Sequence, residues 1–122
     1  MDRHIQQILL RRKNSKYFYI TIDIVILSKE QIKQIIKAYF TGKPVKKVWL
    51  FGSYARGEAN EDSDVDFLVD IEKDSKLGIK YYHWHTELEV ILNKKVDIVT
   101  AGWENEFIKP FIDRDKNIIY ER

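Results

Sequence analysis

The chain has 122 residues, with 21 Lys and Arg against 19 Asp and Glu, 44% hydrophobic residues, two prolines and no cysteine. That length fits one compact domain, and the missing cysteines exclude a disulfide scaffold or a thiolate metal site. A net charge of +2 is too small to point to nucleic acid as the main ligand. The basic pairs Lys46-Lys47 and Lys94-Lys95 and the run Arg11-Arg12-Lys13 are short and separated by acids.

Residues 1–16 are polar and basic, with Ile5, Ile8 and Leu9 at a spacing that predicts a short helix. Tyr17 to Leu27 reads as a strand, its isoleucines alternating with Thr21, Asp23 and Val25. Asp23 interrupts that run and no small-residue cleavage site follows, so a signal peptide is not expected. No stretch is long and apolar enough to span a membrane, and a cytoplasmic setting is the default. Residues 1–27 are read as an N-terminal extension. Its strand could lengthen the main sheet at an edge, form a homo-oligomer interface, or precede the natural start of translation.

Ser28 and Gln31 have the spacing of a capping box, and Ile32, Ile35, Ile36 and Tyr39 continue it as a helical stripe closed by Gly42 and Pro44. Val45 to Phe51 predicts a strand buried on both faces. Ser53 to Arg56 predicts one helical turn, and 57–63 a loop rich in Gly, Asn, Asp and Ser. Asp64 to Ile71 alternates as a strand, with Val65, Phe67, Val69 and Ile71 on one face and Asp64, Asp66, Leu68 and Asp70 on the other. A helix is expected over 77–93, a strand over Val96 to Thr100, a helix from Trp103 to Ile112 interrupted at Pro110, and a last strand at Ile118 to Tyr120. Helices and strands alternate, so the fold class is α/β or α+β around one mixed sheet.

The chemistry concentrates in two places. Asp64 and Asp66 lie two apart on a strand and project from one face. Their mutual repulsion is relieved by a hard divalent cation, Mg²⁺ or Mn²⁺. Asp97, on another strand, supplies a third carboxylate if the strands are neighbours. Three carboxylates can bridge two cations about 4 Å apart, the arrangement used for in-line displacement at phosphorus. Gly52-Ser53 ends the buried strand before this pair. Glycine allows close approach of a phosphate, backbone N–H groups at a helix start attract anions, and the Ser53 hydroxyl adds a donor. Arg56 is either a phosphate contact or an ion pair with Glu58, Glu61 or Asp62. His83 and His85 point in different directions on a helix and make no shared ligand pair. Together the two places read as a nucleoside triphosphate site.

Gly52-Ser53, ten residues, then Asp64-x-Asp66 is the signature of the DNA polymerase β-like nucleotidyltransferase superfamily. The string from Gly52 to Glu58 resembles its minimal nucleotidyltransferase (MNT) group, and Val96-Asp97-Ile98-Val99 resembles the strand of the third carboxylate. The resemblance covers 28–122 as a single nucleotidyltransferase domain. It implies that Asp64 and Asp66 bind two Mg²⁺, and that Asp97 binds the catalytic ion and helps activate the attacking hydroxyl. Gly52 and Ser53 would hold the β- and γ-phosphates of ATP, and AMP would be transferred with release of pyrophosphate. The resemblance also implies an antitoxin that adenylylates a tyrosine of a helical HEPN toxin. In a chain this short the acceptor is expected as a separate protein. Two competing readings are a binding module that neutralises a HEPN partner by contact, and an enzyme that modifies a small molecule such as an antibiotic.

Overall fold

Ser28 forms the predicted capping box: its side chain accepts from the Gln31 N–H at 3.0 Å, and the Gln31 side chain accepts from the Ser28 N–H at 2.8 Å. These bonds satisfy donors that a helix start leaves without partners. The first helix, α1 (Lys29–Phe40), buries Ile32, Ile35, Ile36, Tyr39 and Phe40 along one stripe. This is a computed structural model, and it describes residues 5–11, 17–23, 26–73, 75 and 80–122.

The main sheet has four strands in the order β5-β4-β3-β6. They are β3 (Val45–Phe51), β4 (Val65–Ile71), β5 (Val96–Thr100) and β6 (Asn117–Glu121). β3 runs antiparallel to both β4 and β6, and β4 runs parallel to β5. A parallel pair needs a crossover, and α3 (Lys80–Leu92) lies within it. The short helix α2 (Gly52–Arg56) follows β3 directly, and α4 (Lys109–Asp115) precedes β6.

The alternation in β4 divides the interior. Val65, Phe67 and Val69 join α1 and α3 in the larger core, with Val48, Leu50, Phe40, Trp84, Leu88 and Leu92. Phe40 and Trp84 meet edge to face, ring centres 5.4 Å apart. Each such side chain taken from water contributes roughly 1.5–3 kcal/mol. Leu68 points to the opposite face, where among the described residues the buried cluster is Phe51, Leu68 and Ile112 of α4, flanked by Trp49, Val99 and Ala101. The chain leading into α4 leaves large apolar groups in solvent, with Trp103 84% and Phe107 78% exposed.

Three expectations are corrected. Residues 5–11 form a strand, β1 (Ile5–Arg11), not a helix. It pairs antiparallel with β2 (Tyr17–Asp23) over its whole length, Ile8 opposite Ile20. Backbone pairing with a β-branched neighbour outweighs a weak helical spacing. These two strands make a sheet of their own, so Tyr17–Asp23 does not extend the main sheet. Ile24 and Val25 lie outside the described residues, as do residues 77–79 of the expected 77–93 helix. Finally, 103–108 is not helical. α4 starts at Lys109 with Pro110 in its first turn, where proline's missing N–H costs nothing. A turn precedes it, in which the Asn105 side chain accepts from the Phe107 N–H at 2.7 Å. Among the described residues no helix is long and apolar enough to cross a membrane.

Candidate active site

The parallel pairing of β4 and β5 sets Asp66 directly opposite Asp97. Residues in register on neighbouring strands share a face, so both carboxylates lie on the thinly covered side of the sheet, with Leu68 and Val99. Asp64 sits just before β4, exposed, close enough for its charge to act on Asp66. Asp66 is half-buried and Asp97 exposed. Burial, then the Asp97 charge and hydrogen bond, then the Asp64 charge push the Asp66 carboxyl up to about 7. Arg56 opposes the push.

On the other side of Asp66 lies Gly52, opposite in sequence role but adjacent in space, since its neighbour Phe51 pairs with Asp66 across β3 and β4. Gly52 has φ +74, a left-handed backbone that side chains disfavour. A Cβ built there would collide with Oδ2 of Asp66. Glycine is therefore required twice, for the turn and for the carboxylate seated on it. Ser53 lies inside α2 rather than capping it: the position before α2 is Phe51, with no side-chain cap. The Ser53 carbonyl accepts from the N–H of Gly57 and from that of Glu58 at 2.9 Å, closing the turn.

Arg56 ends α2. Its Nε donates to Glu58 at 2.9 Å and its Nη1 to Asp115 at 2.6 Å. The expected pair with Glu58 is formed; those with Glu61 and Asp62 are not among its contacts. Asp115, which no local motif singles out, is buried at the end of α4 and also binds Arg114 Nε at 2.8 Å. His83 is exposed, and His85 lies 3.6 Å from Glu89.

The donor set suits a hard divalent cation. Carboxylates held together, with the Asp66 carboxyl pushed up by burial and by the charges of Asp97 and Asp64, are the chemistry that Mg²⁺ or Mn²⁺ relieves. Among the described residues no three acidic or imidazole groups are already gathered as a cation cage. Asp66 and Asp97 face each other across the parallel pair, and Asp64 flanks them.

Residues 29–122 match the nucleotidyltransferase domain family. The chain is similar to protein adenylyltransferase MntA of Thermococcus cleftensis, 40% identical over 80 residues, or 62% of this chain and 80% of that protein. A solved toxin–antitoxin with AMP-PNP superposes with a TM-score of 0.61 at 21% identity, covering 79% of this chain and 75% of that one. A chain from the complex of tri-AMPylated Shewanella oneidensis HEPN toxin with MNT antitoxin gives a TM-score of 0.59 at 17% identity, covering 77% and 73%. At those identities the two structures share the fold. The family match over 29–122, on a fold that pairs Asp66 with Asp97 beside the Gly52-Ser53 turn, shows that the chain belongs to the nucleotidyltransferase domain family and is a nucleotidyltransferase.

Proposed function

We propose that this nucleotidyltransferase moves AMP from ATP to a hydroxyl, a tyrosine of a HEPN toxin, and acts as that toxin's antitoxin. The observation that carries the transfer chemistry is the register of Asp66 against Asp97 beside a turn that only glycine can make. The protein acceptor is supported by the identity to an MntA adenylyltransferase and by the shared fold with MNT–HEPN complexes.

Asp64, Asp66 and Asp97 would hold two Mg²⁺. When bound, these ions would neutralise charge on the phosphates and favour the ionised acceptor oxygen. The chain's own groups do the positioning. Gly52 lets the triphosphate reach the backbone, and Ser53 and Arg56 donate to the β- and γ-phosphates. Asp97, the exposed member of the pair, would take up the proton of the acceptor hydroxyl. The acceptor oxygen bonds to the α-phosphorus, the bond to the bridging oxygen of the β-phosphate breaks, and pyrophosphate leaves.

The test is label transfer in lysate of the source cell with Mg²⁺, comparing α-labelled with γ-labelled ATP, for wild type and Asp64→Asn/Asp66→Asn. Label on a protein from α-labelled ATP alone, lost in the variant, is the expected result. Label from γ-labelled ATP alone, or transfer that survives the substitutions, overturns the reading.

A further inference from the structure

Asp115 is a charge in an unfavourable place. Its side chain is 4% exposed, and it is the last residue of α4, where the helix dipole disfavours a carboxylate. A buried acid costs stability unless it is paired and hydrogen-bonded. Both of its oxygens are engaged: Oδ1 accepts from Arg114 Nε at 2.8 Å, and Oδ2 from Arg114 Nη2 at 3.3 Å and Arg56 Nη1 at 2.6 Å. Arg114, the preceding residue, could neutralise this charge unaided. Arg56 is recruited from 59 residues away. The Asn117 side chain donates to the Asp115 carbonyl at 2.8 Å, which fixes the helix end from below. Departures from local preference of this kind gather at functional positions.

α2 has five residues, too few to hold helical form by its own hydrogen bonds. Glu58 and the Ser53 carbonyl close the turn from within. Asp115 ties it to another element. With Nε and Nη1 both held, the guanidinium plane is fixed, and Nη2 has no hydrogen-bond partner among the described residues. A planar fork fixed on one side and open on the other suits a phosphate.

We propose that Asp115 is a positioning residue of the transferase site: it fixes the Arg56 guanidinium so that its remaining donors meet the β- and γ-phosphates of the nucleotide. The proposal rests on the nucleotidyl-transfer reading above and adds to it a residue in α4, outside the Gly52–Asp66 segment.

ATP and AMP, each with Mg²⁺, are titrated calorimetrically into the full chain as wild type, Asp115→Asn, Arg56→Gln and the double variant. Loss of a charge-assisted contact predicts ATP binding about tenfold weaker in Asp115→Asn, with AMP binding changed less than about twofold. In the Arg56→Gln background, Asp115→Asn should add nothing, because it acts through Arg56. Equal losses for ATP and AMP, or additive losses in the double variant, overturn the proposal. So does a wild type that binds ATP alongside an unaffected Asp115→Asn. A wild type that binds neither nucleotide overturns the transfer reading and this proposal with it. If Asp115→Asn lowers the folded fraction by circular dichroism, Arg56→Lys carries the test. It keeps the charge and loses the fork, and unchanged ATP affinity there overturns the proposal.

Discussion

Asp66 and Asp115 are both acids withdrawn from water, and the molecule treats them in opposite ways. Asp115 has two guanidiniums on it, and their hydrogen bonds and charge hold its carboxyl below the usual range despite burial. Asp66 has two more carboxylates near it, and the Arg56 charge in opposition does not offset burial and their repulsion. One cluster is compensated by the chain itself. The other is left in deficit, and in the proposed function that deficit of positive charge is what the divalent cations accompanying the nucleotide would fill. Compensated charge ties elements together; uncompensated charge is kept for binding.

The sharpest way to break this contrast is to remove the deficit. Asp66→Asn or Asp97→Asn should lower nucleotidyl transfer by about a thousandfold, measured as label transfer, while circular dichroism keeps the native signature. Gly52→Ala should fail differently, losing both activity and fold stability. A side chain there meets Asp66 and takes a left-handed φ, a cost of about 2 kcal/mol in urea melts. Removing the compensated acid should also cost stability. Asp115→Ala is expected to lose about 2 kcal/mol, because its buried hydrogen bonds go with it. Asp66→Asn should do the reverse. Without metal at pH 8 it is expected to gain about 1 kcal/mol, because solvent screens part of the repulsion at the half-buried Asp66.

The smallest effect is in the pH profile, where the two acids have opposite signs. Asp66 is raised on folding, so between its ordinary 3.8 and about 7 the folded chain holds more proton than the unfolded one. Its contribution to stability therefore falls as pH rises through that window. Asp115 is lowered on folding, so its contribution is present above the ordinary carboxylate value and is lost only in more acidic solution. Metal-free melts from pH 4 to 8 should show a decline that Asp66→Asn flattens. Mg²⁺ should raise the wild-type melting temperature more at pH 8 than at pH 5, and a pH-independent rise would contradict the assignment of Asp66.

Much of this was readable from local pattern. The capping box at Ser28, the period-two strand at Asp64 to Ile71 and the Gly52-Ser53 break depend on neighbours in sequence, and spacing reports them well. The meeting of Asp66 with Asp97 was readable only as a condition, that the two strands be neighbours; the parallel pairing meets it. Asp115 was not readable. Arg114-Asp115 in sequence resembles any solvated charge pair, and what buries the acid is the return of α4 onto α2. The error at 5–11 has the same origin, since the strand there exists through its partner at 17–23. The helix expected from Trp103 begins only at Lys109, and the stretch before it leaves Trp103 and Phe107 facing solvent, with no packed face to hold a helix there.

The thin cover on the carboxylate face has a consequence for breathing motions. α4 is pinned by Ile112 and Asp115, whereas α1 is pinned by five buried side chains. Local opening free energies follow such anchorage, so α4 amides should exchange with deuterated solvent well before those of α1. Each opening would release Asp115 and slacken Arg56 with the larger core intact. If Arg56 holds the triphosphate as proposed, that grip would fade under mild warming or dilute urea before the fold melts, a loosening step that a stability curve does not record.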